Sequence, residues 1–102
     1  MKLPKKVIIA GKEWIVKTNK NVSGGKFSTG SFSIEVGTKY PKDILDIFFH
    51  EVVEALLTER NLRYTIQRSQ PENGDYLFNF NHEQFSQIIP DLIIALKDVI
   101  MK

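Results

Sequence analysis

His50, Glu51 and Glu54 fall within the stretch Phe48-Phe49-His50-Glu51-Val52-Val53-Glu54-Ala55, near the middle of the 102-residue chain. On a helix, His50 and Glu54 stand one turn apart on the same face, where they can share one metal ion. Glu51 projects about 100° round from His50, which suits a carboxylate that activates a metal-bound water. The pattern is H-E-x-x-E, the metal-binding H-E-x-x-H helix with its second histidine replaced by glutamate. With two histidines and seven glutamates in the chain, chance produces it roughly once per hundred such sequences. The bland alternative is a solvated helix stripe with a His–Glu contact worth ~0.3 kcal/mol.

The flanks support the helix. Pro41 suits a first helical position and Asp43 complements the helix N-terminus. Apolar residues at 44, 45, 47, 48, 49, 52, 53, 55, 56 and 57 cover most of the circumference, and Arg60 and Asn61 supply stop signals. A helix over 41–60 is predicted, with a narrow polar stripe of Asp43, Asp46, His50 and Glu54 and with Glu51 at its margin. So apolar a helix must be largely buried, which leaves the stripe on the only solvated face or in a cleft.

The segments on either side have strand character. Val7-Ile8-Ile9 and Glu13-Trp14-Ile15-Val16-Lys17 are β-branched and aromatic, with turn chemistry at Gly11, and predict a hairpin. Phe27 to Val36 reads as extended chain interrupted by Gly30. Gly25-Lys26-Phe27-Ser28-Thr29-Gly30-Ser31 has the glycine spacing of a phosphate loop but lacks the lysine after its second glycine, and a strand pattern follows it. Gly24, Gly25 and Gly30 are therefore read as turn or bulge residues. Beyond the helix, Arg63 to Gln67 and Tyr76 to Phe80 read as strands around a loop at Ser69 to Asp75.

His82 is the only other histidine. Asn81 and Gln84 form a capping-box pattern at the start of a last helix carrying Phe85, Ile88, Ile89, Leu92, Ile93, Leu96, Val99 and Ile100, with a kink or break expected near 86–90 because of Pro90. If the two helices pack side by side, His50, Glu54 and His82 give the His₂Glu set of catalytic zinc sites, with a fourth position for water. The plain reading of His82 is a solvated helix-start residue. Glu83 is an alternative oxygen ligand, or simply a complement to the helix dipole.

Composition limits these readings. A length of 102 residues, 42% hydrophobic and 25% charged, fits one ordinary globular domain spanning 1–102. Without cysteine there is no disulfide framework or Cys-type zinc site, and the compartment expected is the cytoplasm. No run approaches the ~20 apolar residues of a membrane span, and no membrane partner is expected. The net charge of +2 is uneven: residues 1–42 carry nine lysines against Glu13 and Glu35. A basic half can bind nucleic acid or an acidic partner. It lacks arginine, however, and lysines on an exposed sheet face explain it as well. The fold class expected is α+β, with a small, mainly antiparallel sheet packed against the 41–60 helix and the C-terminal helix.

The order of strands, H-E-x-x-E-A helix and terminal helix resembles small phage or prophage proteins with a zincin-like metallopeptidase core. The resemblance rests on Phe48 to Ala55, Arg63-Tyr64 and Leu77 to Phe85, and only the first stretch is a motif with a mechanism. It implies His50, Glu54 and His82 as metal ligands, Glu51 as general base, and the strand Phe32 to Val36 as a shelf for a peptide or protein substrate. The ion implied is divalent, zinc first. Glutamate in place of the second histidine adds negative charge, which weakens the Lewis acid and favours harder ions such as manganese or magnesium. Arg63, Tyr64 and Tyr76 are oxyanion-stabilising candidates by residue type alone. A phage protein of this kind would work in the host cell cytoplasm. The alternative is a non-enzymatic phage protein that binds a host protein or nucleic acid through its lysine-rich N-terminal sheet, with the zincin-like core only a scaffold.

Overall fold

The computed structural model describes residues 3–65 and 76–100. Strands β1 (Lys6–Ile9) and β2 (Lys12–Asn19) form the expected hairpin. Its two-residue turn, Ala10-Gly11, holds both residues at positive φ, 51° and 81°, the backbone that matches the twist of paired strands. The stretch expected as one extended segment is a second hairpin, β3 (Gly25–Ser28) and β4 (Ser33–Gly37). Gly30 does not merely interrupt a strand; the chain reverses across residues 29–32.

β4 inserts beside β2 in parallel, giving the order β1-β2-β4-β3. Two of the three pairings in this sheet are antiparallel, and the fold is α+β as the sequence predicts. Strand alternation sends Val7, Ile9, Trp14, Ile34 and Val36 to one buried face, covered by the helices. The opposite face carries Lys6, Ile8, Glu13, Ile15, Lys17, Lys26 and Glu35.

Pro41–Asp43 forms a single 3₁₀ turn that leads into α1 (Ile44–Glu59). Phe48, Val52, Ala55 and Leu56 are fully buried against the sheet. Asn61 ends the helix at φ 60°. The Leu62 amide donates to the Leu57 carbonyl and the Asn61 amide to that of Thr58, the pair of bonds that satisfies the last turn when a left-handed residue reverses the chain. The chain then enters β5 (Arg63–Thr65), which pairs with β6 (Tyr76–Phe78). Ile66, Gln67 and the loop expected at Ser69 to Asp75 lie outside the described residues.

α2 spans His82–Ile100. Its capping box forms as predicted: the Gln84 amide donates to Asn81 Oδ1 at 2.9 Å and the Asn81 amide to Gln84 Oε1 at 2.8 Å. Of the kink or break expected near 86–90, the break does not occur: the helix runs on through Pro90. Proline removes the donor to the Ser86 carbonyl and its ring crowds that oxygen, but Ser86 is exposed, so the oxygen can tilt outward and be served by water. Among the described residues, no helix is long and apolar enough to cross a membrane.

Candidate metal centre

α1 presents its chemistry along one edge of the sheet. Gly25, the first residue of edge strand β3, lies against the helix so closely that an added Cβ would sit 2.7 Å from Ile47 Cγ2 and 2.9 Å from Glu51 Cγ. Glycine is needed here for this close approach. A groove of about 840 Å³ opens between α1 and β3, lined by Gly25 to Thr29, His50, Glu51, Glu54, Thr58, Arg63 and Tyr76.

Within it the helical spacing has its expected effect. His50 Nε2 stands 3.2 Å from Glu54 Oε1 and 4.0 Å from Glu51 Oε2. The three differ in burial. The His50 side chain is 67% exposed, whereas Glu51 is only 8% exposed. Burial raises the Glu51 pKa above its ordinary value, and the neighbouring Glu54 charge adds to this while His50 opposes it.

Donors about 2.0–2.2 Å from one tetrahedral ion lie about 3.3–3.5 Å apart. The 3.2 Å separation of His50 and Glu54 lies just short of that spacing, close enough for two ligands of one ion after a small side-chain shift, and is equally that of a plain i,i+4 His–Glu contact. The rest of the expected set is not assembled. Among the described residues no group of three or more His, Asp or Glu side chains is disposed to hold one ion. His82 begins α2, with its ring 6.5 Å from that of Phe85 and its carbonyl accepting from Ser86 Oγ. It is not among the groove residues. α2 packs on α1 through the core residues Ile88, Ala95 and Leu96, and Arg60, just past the end of α1, bonds Asp91 of α2 at 2.8 Å. Asp91 is roughly 13 Å along the helix from His82, and the first turn of α2 is taken up by the capping box.

Two residues considered by type enter the groove, and one does not. Arg63 Nη1 donates to Glu54 Oε2 at 2.9 Å, and its guanidinium lies 3.9 Å from the Tyr76 ring centroid and 5.3 Å from that of Phe27. Tyr64 follows Arg63 in a strand, where successive side chains point to opposite faces, and is not a groove residue. The shelf expected at Phe32 to Val36 also moves. β4 is hydrogen-bonded to strands on both sides, so β3 is the strand with an outer edge beside the helix. The pairing order, which composition does not encode, decides this.

The lysine-rich half forms no concentrated basic patch on the outer sheet face. Lys6 pairs with Glu13 at 3.3 Å, and Glu35 lies in register between Lys17 and Lys26. A second cleft, of about 190 Å³, is lined by Arg60, Leu62, Gln84, Gln87, Ile88 and Asp91. It has no side chain of nucleophile or metal-ligand type beyond the paired Asp91. Against protein-family models, curated proteins and solved structures, the chain finds no match.

Proposed function

We propose that this chain is a phage-type, zincin-like metal-binding protein whose groove serves a metal-dependent peptide hydrolase, with Glu51 as general base. The observation that carries this reading is the 3.2 Å approach of His50 Nε2 to Glu54 Oε1 beside the buried Glu51 carboxylate. A bound divalent ion, zinc first, would polarise a peptide carbonyl and acidify a water. His50 and Glu54 Oε1 would hold the ion. Glu51 would accept the proton of the attacking water and return it to the leaving amine. In the metal-free groove burial raises its pKa, and a bound ion would oppose that rise. An extended peptide can add to the outer edge of β3, which would align its backbone over the Glu51 carboxylate.

A second reading is a non-enzymatic module for a host protein. It is favoured by the outer sheet face, where Ile8 and Ile15 are exposed among the paired charges. Glu13, paired with Lys6, and Glu35, in register between Lys17 and Lys26, offset the lysines and make nucleic acid the weaker partner for this face. Metal content of the purified chain, measured by plasma mass spectrometry after reconstitution with zinc or manganese, separates the readings. The hydrolase reading expects one ion per chain, loss of that ion in His50→Ala, and peptidase activity lost in Glu51→Gln with the ion retained. No stoichiometric metal under any condition would leave the interaction module.

A further inference from the structure

Glu54 is ordered by more than its helix. One oxygen faces His50, and the other accepts a hydrogen bond from Arg63, an ion pair in which both side chains are only about a fifth exposed, 20% and 22%. Arg63 is itself held. Its guanidinium lies over the Tyr76 ring at 3.9 Å and near Phe27 at 5.3 Å, so residues of β6 and β3 flank the β5 cation that bonds one carboxylate of α1. Stacking between aromatic faces fixes the guanidinium plane, and the planar fork then fixes the carboxylate it bonds.

We infer that Arg63 is a positioning residue of the metal site, holding Glu54 as a one-oxygen donor and supplying the counter-charge that lets glutamate stand where a neutral histidine would. The inference rests on the metal-binding reading above. Without Arg63, the site sets two carboxylates, Glu51 and Glu54, beside an ion. With it, the Glu54–Arg63 pair is neutral, and the ion meets the same formal charge as in H-E-x-x-H. The second Glu54 oxygen is also engaged, so bidentate binding, which suits larger and harder ions, is disfavoured. Arg63 therefore biases an oxygen-rich site back toward zinc. Groups that orient metal ligands from behind commonly change affinity by about 10–100-fold.

The test is a chelator-competition titration of zinc and of manganese on the full chain, comparing wild type with Arg63→Met, Arg63→Lys and Tyr76→Leu, with folding checked by circular dichroism. Absolute affinity mixes two opposed effects: extra negative charge strengthens binding, and lost orientation weakens it. The zinc-to-manganese affinity ratio isolates the bias. It is expected to fall about tenfold or more in Arg63→Met, with a smaller fall in Tyr76→Leu and an intermediate one in Arg63→Lys. If Arg63→Met does not fold, the other two variants carry the comparison. A ratio within twofold of wild type in every folded variant, with wild-type zinc binding intact, overturns the role of Arg63 alone. A wild-type chain that binds neither ion overturns the metal reading and this inference together.

Discussion

The two histidines of this chain occupy helix positions of similar chemical promise, and the fold treats them differently. His50 lies in the middle of α1, with Glu51 and Glu54 at hand and Arg63 behind Glu54. His82 lies at the first residue of α2, beside Phe85 and the capping box, outside the groove. Contacts within one helix follow from its 3.6-residue period, so spacing alone brings His50 to Glu54. A contact between helices needs a packing arrangement that spacing does not encode.

The sharpest way to break this contrast is to remove each imidazole in turn. His50→Ala should lower zinc affinity about a hundredfold or more, the scale expected when a ligand itself is lost. His82→Ala should change it less than twofold. Equal losses in the two variants, read by the same competition titration, would mean that His82 reaches the site.

A second contrast sets the buried Glu51 against the exposed His50. Burial raises the Glu51 pKa on folding, so the folded state binds its proton more tightly than the unfolded chain. The stabilising contribution of that proton is complete below the ordinary value of 4.5. It is lost as pH rises through the higher folded-state pKa. Glu51→Gln should therefore stabilise the metal-free chain at pH 7 by about 1 kcal/mol, the scale of a polar group buried at a cost. The advantage should fade in denaturant melts toward pH 4. A variant less stable than wild type at pH 7 would indicate that the carboxylate is stabilised where it lies.

The smallest effect concerns the α2 cap. Asn81→Ala should cost about 1 kcal/mol of stability and leave zinc affinity unchanged. A shift in zinc binding would tie the first turn of α2 to the groove after all.

Much of this was legible in the residues. Pro41, the apolar run and Asn61 marked α1 to within a few residues, and Asn61 adopts the left-handed φ that such a stop requires. Asn81 and Gln84 form the cap their spacing suggests. The division of 27–36 into two strands was not legible, because Thr29 to Phe32 lacks the Asn-Gly or Asp-Gly signal of a tight hairpin and Phe32 itself turns at φ 49°. In the sequence Arg63 reads as a strand residue, part of the Arg63-Tyr64 stretch, and by type alone as an oxyanion-stabilising candidate. Its pairing with Glu54, nine residues earlier, depends on the chain reversing at Asn61 and on Tyr76 returning beside it. The Asn-x-Arg sequence after the helix was the available signal: a left-handed stop followed at once by a strand folds the next cation back over the last turns of α1.

The most direct test of the central claim is X-ray absorption at the zinc edge of the reconstituted chain, beside Arg63→Met. The site described here predicts one imidazole in the zinc shell, with the remaining donors oxygen, and a Glu54 contribution that changes from one oxygen toward two when Arg63 is removed. Two imidazoles would place His82 on the ion, and none would remove His50 from it. Either result would contradict the site built on α1.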